Sequence, residues 1–228
     1  SLSGNLYKLN PYKVAIPYNH LGKVVSDFQE DSAGVLWIAT DQGVLQKKKN
    51  GEIQQFLIHK GDFSVNNVIT DLESENQRNL SVGTLGGLYR FDKTTETFTK
   101  YYQEPSSETI LLNDTITSLS KVKVSALWIG TSSGLGRMDL LSWKFKHYRP
   151  NPDDPTSLGS VFLSNEGATT AWSTANDKGN SLWICVGGGI NRFDEQKSSF
   201  RKYTIADVVI NCLKTDKSGR IWAGTNAG

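Results

Sequence analysis

Carboxylates recur at matched places in this 228-residue chain, and they are the first side chains to weigh for chemistry. Asp27 and Asp71 hold equivalent positions in two similar segments, Val24-Val25-Ser26-Asp27-Phe28 and Val68-Ile69-Thr70-Asp71-Leu72. Two carboxylates on facing strands can divide acid and base roles in sugar chemistry. The same column reads Ser118, Ser173 and Cys212 in later segments, so the expected role is hydrogen bonding in a solvated channel. His20, His59 and His147 fall at non-equivalent places with no metal pair or triad spacing, and no serine sits in a nucleophile elbow. No catalytic residue, metal site or cofactor is therefore assigned. The glycine runs Gly86-Gly87 and Gly187-Gly188-Gly189 lead from one strand pattern into another. Without a helix N-terminus or a following Lys-Ser/Thr they read as turns, not phosphate cradles.

A second candidate departs from the pattern. Trp172 stands where the matching segments carry Ser26, Thr70, Thr117 and Asn211, and it follows an insertion of about ten residues, Val161 to Thr170. An aromatic face beside Asn165 and Glu166 on that insertion has the parts of a sugar site, a ring to stack on and polar groups to orient hydroxyls. The competing reading is that Trp172 fills space under a longer loop.

The elements that would position these residues come from a repeated phrase. Leu127-Trp128-Ile129-Gly130-Thr131-Ser132-Ser133-Gly134-Leu135 returns in altered form from Leu36, Leu80, Leu182 and Ile221. Along its tryptophan column, 37, 81 (a serine), 128, 183 and 222, the steps are 44, 47, 55 and 39 residues. Periods of about 40–45 residues with strand patterns indicate propeller blades. Each repeat supplies four short strands separated by turn residues, including Asn50-Gly51, expected to form a type I′ hairpin turn. The fold class expected is all-β, a β-propeller of four-stranded antiparallel blades. Four blades fall near residues 22–59, 65–103, 114–149 and 157–204, and a fifth is shared between 207–228 and 4–18, all in one domain. The tryptophans Trp37, Trp128, Trp183 and Trp222 are expected to pack in the wedges between blades.

Composition excludes several classes. The net charge of +2 carries no polyanion footprint, so no nucleic-acid partner is expected. No apolar run approaches the ~18 residues of a membrane span, so no membrane contact by this segment is expected. Ser1-Leu2-Ser3-Gly4 lacks the basic start of a secretory leader. Cys185 and Cys212 fit no zinc spacing and are expected as buried free thiols, with a bridge between neighbouring blades as the alternative.

These motifs resemble the two-component regulator propeller repeat of bacterial sensors. The resemblance is carried by Asp216-Lys217-Ser218-Gly219-Arg220-Ile221-Trp222-Ala223-Gly224-Thr225, by Gly86-Gly87-Leu88-Tyr89-Arg90-Phe91-Asp92, and by the linker His147 to Leu158. Repeat two departs at Ser81 and repeat four at Cys185-Val186. The resemblance implies a periplasmic sensing role in a hybrid two-component receptor, with an oligosaccharide from glycan breakdown as ligand and a histidine kinase as the downstream part. A homodimer formed through the full-length receptor is the expected partner. The alternative is a structural or protein-interaction propeller that mediates receptor dimerisation without a small ligand. Such propellers are usually seven-bladed, so the chain is either a piece of a larger sensor or a short relative closing with five blades.

Overall fold

The computed structural model describes residues 5–7, 18–20, 22–61, 64–101, 114–122, 125–159, 173–176, 181–186, 189–204, 210–216 and 218–226. They form two compact units, Ser1–Tyr101 and Tyr102–Gly228. In the first, β1 (Asn5–Tyr7) pairs with β2 (Tyr18–His20). A four-stranded sheet follows from β3 (Val25–Glu30), β4 (Leu36–Thr40), β5 (Gly43–Lys47) and β6 (Ile53–Phe56). After a 3-10 turn at Val65–Asn67 comes a second, from β7 (Ile69–Ser74), β8 (Asn79–Thr84), β9 (Gly87–Asp92) and β10 (Thr97–Lys100).

The second unit repeats the arrangement. One sheet holds β11 (Ile116–Val122), β12 (Ala126–Thr131), β13 (Gly134–Asp139) and β14 (Phe145–Tyr148). The next holds β15 (Ser173–Asn176), β16 (Leu182–Val186), β17 (Gly189–Asp194) and β18 (Ser199–Thr204). β19 (Ile210–Thr215) and β20 (Ile221–Thr225) form a separate pair. Every four-stranded sheet is an antiparallel meander in chain order, so each of the four complete repeats builds one sheet. The inner strand expected over 171–174 is described from Ser173 as β15, and Ala171 and Trp172 lie outside the described residues.

The repeated phrase folds into a hairpin for a local reason. Thr40, Thr84 and Thr131 end their strands with the hydroxyl donating to the carbonyl of Gly43, Gly87 and Gly134, at 2.7, 2.9 and 2.9 Å. The same hydroxyls accept from the turn N–H of Gln42, Gly86 and Ser133. Gly43 has φ +101°, where side chains are strained, and a Cβ there would press on the Phe56 carbonyl oxygen. The Asn50-Gly51 turn differs from expectation. Gly51 alone has positive φ, and Gly51 N–H donates to Lys48 O at 2.9 Å while Lys48 N–H donates to Glu52 O. Three residues span that hairpin, so an ordinary turn followed by a left-handed glycine fits it where a two-residue type I′ turn does not.

The core of each unit lies between neighbouring sheets and is built from the same aromatic positions. In the first unit Trp37 stacks near Phe56 (6.1 Å) and edge-on to Phe91 (5.6 Å), with Phe98 behind Phe91 (4.7 Å). In the second Trp128 meets Tyr148 (5.4 Å) and Phe193 (4.7 Å), with Phe200 behind Phe193 (5.1 Å). Trp37 and Trp128 are each only 2% exposed. Trp222 departs from the expected wedge packing, at 59% exposed, because among the described residues of its unit no sheet covers β20 on that side. Both cysteines are free thiols; Cys185 is buried with Ile210 and Leu213, whereas Cys212 is exposed, against the expectation that both are buried.

Trp37→Ala should cost about 3–5 kcal/mol of stability in chemical denaturation, the range for emptying a large aromatic site in a core. Trp222→Ala should cost less than about 1 kcal/mol, as for a surface position. Equal losses for the two would show that the exposed indole is structural after all.

Candidate functional site

The innermost strands carry a shared irregularity. The ladders of β3, β7, β11 and β19 slip by one residue, at Ser26, Thr70, Thr117 and Asn211. Such a bulge leaves a residue out of the pairing and re-aims its neighbours. Ser26 Oγ thereby reaches across to the next sheet and donates to Ile69 O at 2.6 Å. The bulge also brings the two carboxylates singled out from the sequence to one group. Leu72 N–H is shared by Asp71 Oδ1 at 2.9 Å and Asp27 Oδ2 at 3.2 Å. Asp27 and Asp71 thus tie two inner strands together through a backbone donor, both half-buried. In β15, Ser173 pairs with Cys185 as Asp27 pairs with Ala39. Trp172, Asn165 and Glu166 themselves lie outside the described residues.

A second constellation was missed in the sequence, although its signal was there. Six residues before the tryptophan of the phrase stands an acid. Asp31 Oδ2 accepts from Trp37 Nε1 at 2.9 Å, and Asp31 Oδ1 from Ala33 N–H and Val35 N–H. Asp216 repeats this with Trp222 Nε1 at 3.0 Å and with Ser218 and Arg220 N–H. In the first unit Lys93 completes the post: its Nζ is 3.1 Å from Asp31 Oδ2 and 5.2 Å from the Trp37 ring centre, with both charged side chains largely enclosed. Burial alone would raise the Asp31 pKa, but the donors Trp37, Val35 N–H and Lys93 outweigh it and hold the group below the ordinary carboxylate range.

Where the tryptophan is replaced, the acid is adapted. Opposite Ser81 the column carries Glu75, buried, which accepts from Ser81 Oγ at 2.8 Å and Tyr101 OH at 2.7 Å and pairs with Arg90 at 2.8 Å. Burial first, and the Glu75 charge second, push the Tyr101 phenol far above its ordinary value, so it stays a neutral donor.

In β11 the acid is gone, and Val122 takes its place before Trp128. Lys93 has Glu195 as its counterpart, the residue after the Phe-Asp of β17. A cavity of about 790 Å³ opens there, lined by Val122, Ala126, Trp128, Arg137 and Glu195 among others. Arg137 lies 5.8 Å from the Trp128 ring centre and reaches Glu195 at 3.3 Å. Among the described residues, Trp128 Nε1 has no acceptor and no three His, Cys, Asp or Glu side chains gather as metal ligands.

Residues 20–42 and 204–227 match the sequence model of the two-component regulator propeller. Those two segments are similar to the two-component regulator propeller repeat. Both matched segments reach into a phrase and include a post, Asp31–Trp37 in the first and Asp216–Trp222 in the second. Among solved structures, a protein described as the extracellular domain of a hybrid two-component system, BT3049 from B. thetaiotaomicron, superposes with TM-score 0.69 at 20% identity over 90% of this chain and 28% of its own. A second such domain, BT4673 of the same organism, gives 0.58 at 18% identity over 90% and 31%. Virginiamycin B lyase from Staphylococcus aureus gives 0.70 at 12% identity over 97% and 70%. At these identities the likeness fixes the fold, an all-β propeller, and no chemistry. The chain spans about three tenths of the length of the two sensor domains. No curated protein matches it in sequence.

The Asp31 post makes stability depend on pH. With its folded pKa below the unfolded value, Asp31 contributes fully above the ordinary carboxylate range and loses that contribution as pH falls through the lower, folded value. Asp31→Asn should therefore lower the denaturation midpoint at neutral pH and flatten the decline on the acid side. Parallel curves for variant and wild type would remove the post from the stability argument. Glu75→Ala, which removes the acceptor that Arg90 and Tyr101 share, should cost about 3–5 kcal/mol, the range for breaking a buried charge pair.

Proposed function

We propose that this propeller is a ligand-binding module in the extracytoplasmic, periplasmic part of a two-component receptor, taking glycan-derived oligosaccharides and relaying their presence to a histidine kinase. The observation that carries the reading is the pair of regulator-propeller matches at 20–42 and 204–227, together with a fold shared with extracellular domains of hybrid two-component systems. The absence of an assigned catalytic role is part of the same proposal. Asp27 and Asp71, the two carboxylates best placed by sequence for acid–base work, both spend an oxygen on Leu72 N–H. The lyase likeness supplies a scaffold comparison only.

A second reading, a propeller that mediates receptor dimerisation without a small ligand, is favoured by one surface feature. Leu141 is 81% exposed and Trp143 44% exposed on the turn between β13 and β14. Calorimetric titration with a panel of neutral and acidic oligosaccharides should give saturable heat for at least one. Silence across the panel, with concentration-dependent dimerisation abolished by Leu141→Asp, would favour the second reading. Turnover of any oligosaccharide that stops in Asp27→Asn would overturn the non-catalytic one.

A further inference from the structure

The wedge between the sheets β11–β14 and β15–β18 is built like the wedge between β3–β6 and β7–β10, with one set of parts exchanged. In the first unit an enclosed carboxylate, Asp31, satisfies the indole N–H of Trp37 and meets a cation, Lys93, supplied by the neighbouring sheet. In the second unit the carboxylate is absent at Val122, and the neighbouring sheet supplies an acid, Glu195, where the cation stood. The cation now comes from Arg137, the cross-strand partner of Trp128. What is left is a cavity with an apolar floor, an indole donor that has no acceptor among the described residues, and a guanidinium at its mouth.

We propose that this cavity is a binding site for a carboxylate-bearing saccharide, a uronic acid unit, whose carboxylate takes the place that Asp31 fills in the first unit. The saccharide part rests on the sensory reading above; the carboxylate part rests on the geometry of the two wedges. The ligand carboxylate accepts from Trp128 Nε1 and from Arg137, whose planar fork suits a carboxylate. The Arg137–Glu195 pair is no obstacle. Its side chains are 35% and 50% exposed, and a solvated pair of that kind is worth about 0–1 kcal/mol, so Arg137 exchanges partners at small cost. The lining as a whole favours an anion: Arg137, Arg192, Lys197, Arg201 and Lys202 stand against Asp194 and Glu195. Thr156, Ser181 and Gln196 on the same lining offer groups for sugar hydroxyls, and Phe193 and Phe200 supply an apolar floor. The volume of about 790 Å³ lies within the range of pockets that hold small organic ligands, about 300–1,000 Å³.

The test uses digalacturonic acid and its neutral counterpart, a galactose disaccharide, titrated calorimetrically into the wild type and two variants. Val122→Asp restores the carboxylate seen in sibling repeats and fills the site from within; Arg137→Met removes the guanidinium while keeping its apolar stem. Wild type should bind the uronate at least tenfold more tightly than the neutral sugar, with binding abolished in Val122→Asp and weakened at least tenfold in Arg137→Met. Uronate binding equal in all three proteins, or no preference over the neutral sugar, would overturn this site while leaving the sensory reading standing. No heat from the uronate in wild type would overturn it too, and the wider panel above then decides the sensory reading separately. Should Val122→Asp fail to fold, Arg137→Met alone decides, since that side chain is partly exposed and lies outside the aromatic cluster.

Discussion

The carboxylate six residues ahead of the tryptophan is the interaction on which the regular repeats depend. A turn between two strands leaves N–H groups that need acceptors, and a buried indole leaves another. Asp31 answers both at once, one oxygen on Ala33 and Val35 N–H and the other on Trp37 Nε1. The turn then fixes where the indole sits, and the indole fixes how far apart neighbouring sheets stand. Lys93 neutralises the enclosed charge from the far side of the wedge, so the post is also a contact between sheets.

Because that one side chain couples turn, ring and wedge, changes at the tryptophan column come with changes around it. With Ser81 in place of the large ring, the acid lengthens to Glu75 and gains Tyr101 and Arg90 as partners, all within one enclosed cluster. The space that an indole would fill is taken by a longer acid and a phenol. Asp216 shows the opposite limit. It keeps its indole bond and gains Arg220 at 2.7 Å, yet the ring it holds is mostly in solvent, so the bond orders the turn more than it builds a core. Hydrogen bonds from Ser218, Trp222 and the Arg220 N–H, against a smaller effect of burial, hold the Asp216 carboxyl well below its ordinary range.

Much of this was legible from residue types and spacing. Thr-x-x-Gly gave the hairpins because a hydroxyl and a left-handed glycine close them together, and the tryptophan period marked out the repeats that became four-stranded sheets. Other features depend on geometry that spacing does not encode. Asn50-Gly51 suggested a two-residue turn, but the hydrogen bonds to Lys48 and Glu52 close a three-residue loop. Asp27 and Asp71 were paired by alignment, yet their meeting at Leu72 N–H needed the bulge at Ser26 and Thr70, which no residue type announces. The acid column was visible in the letters at positions 31, 75, 177 and 216. It became meaningful only once the indole N–H bonds showed what the acid is for, and only then did Val122 stand out.

The two exchanges in the second unit, Val122 for an acid and Glu195 for a lysine, are consistent with each other in a way that loss of one part would not be. Removing the acid alone would leave a lysine enclosed in the wedge with its charge uncompensated, a costly arrangement. Reversing the neighbouring side chain to Glu195 avoids that, and Arg137 balances it from the same sheet as Trp128. A wedge that merely lost its post could have been refilled with apolar side chains, which would pack Trp128 from every side. Instead its mouth keeps a guanidinium over the ring, a carboxylate in a solvated pair with it, and an indole donor with no acceptor among the described residues. Polar groups kept at the edge of an unfilled aromatic wedge are what a replaceable carboxylate requires, and they separate this wedge from its sealed counterpart around Trp37.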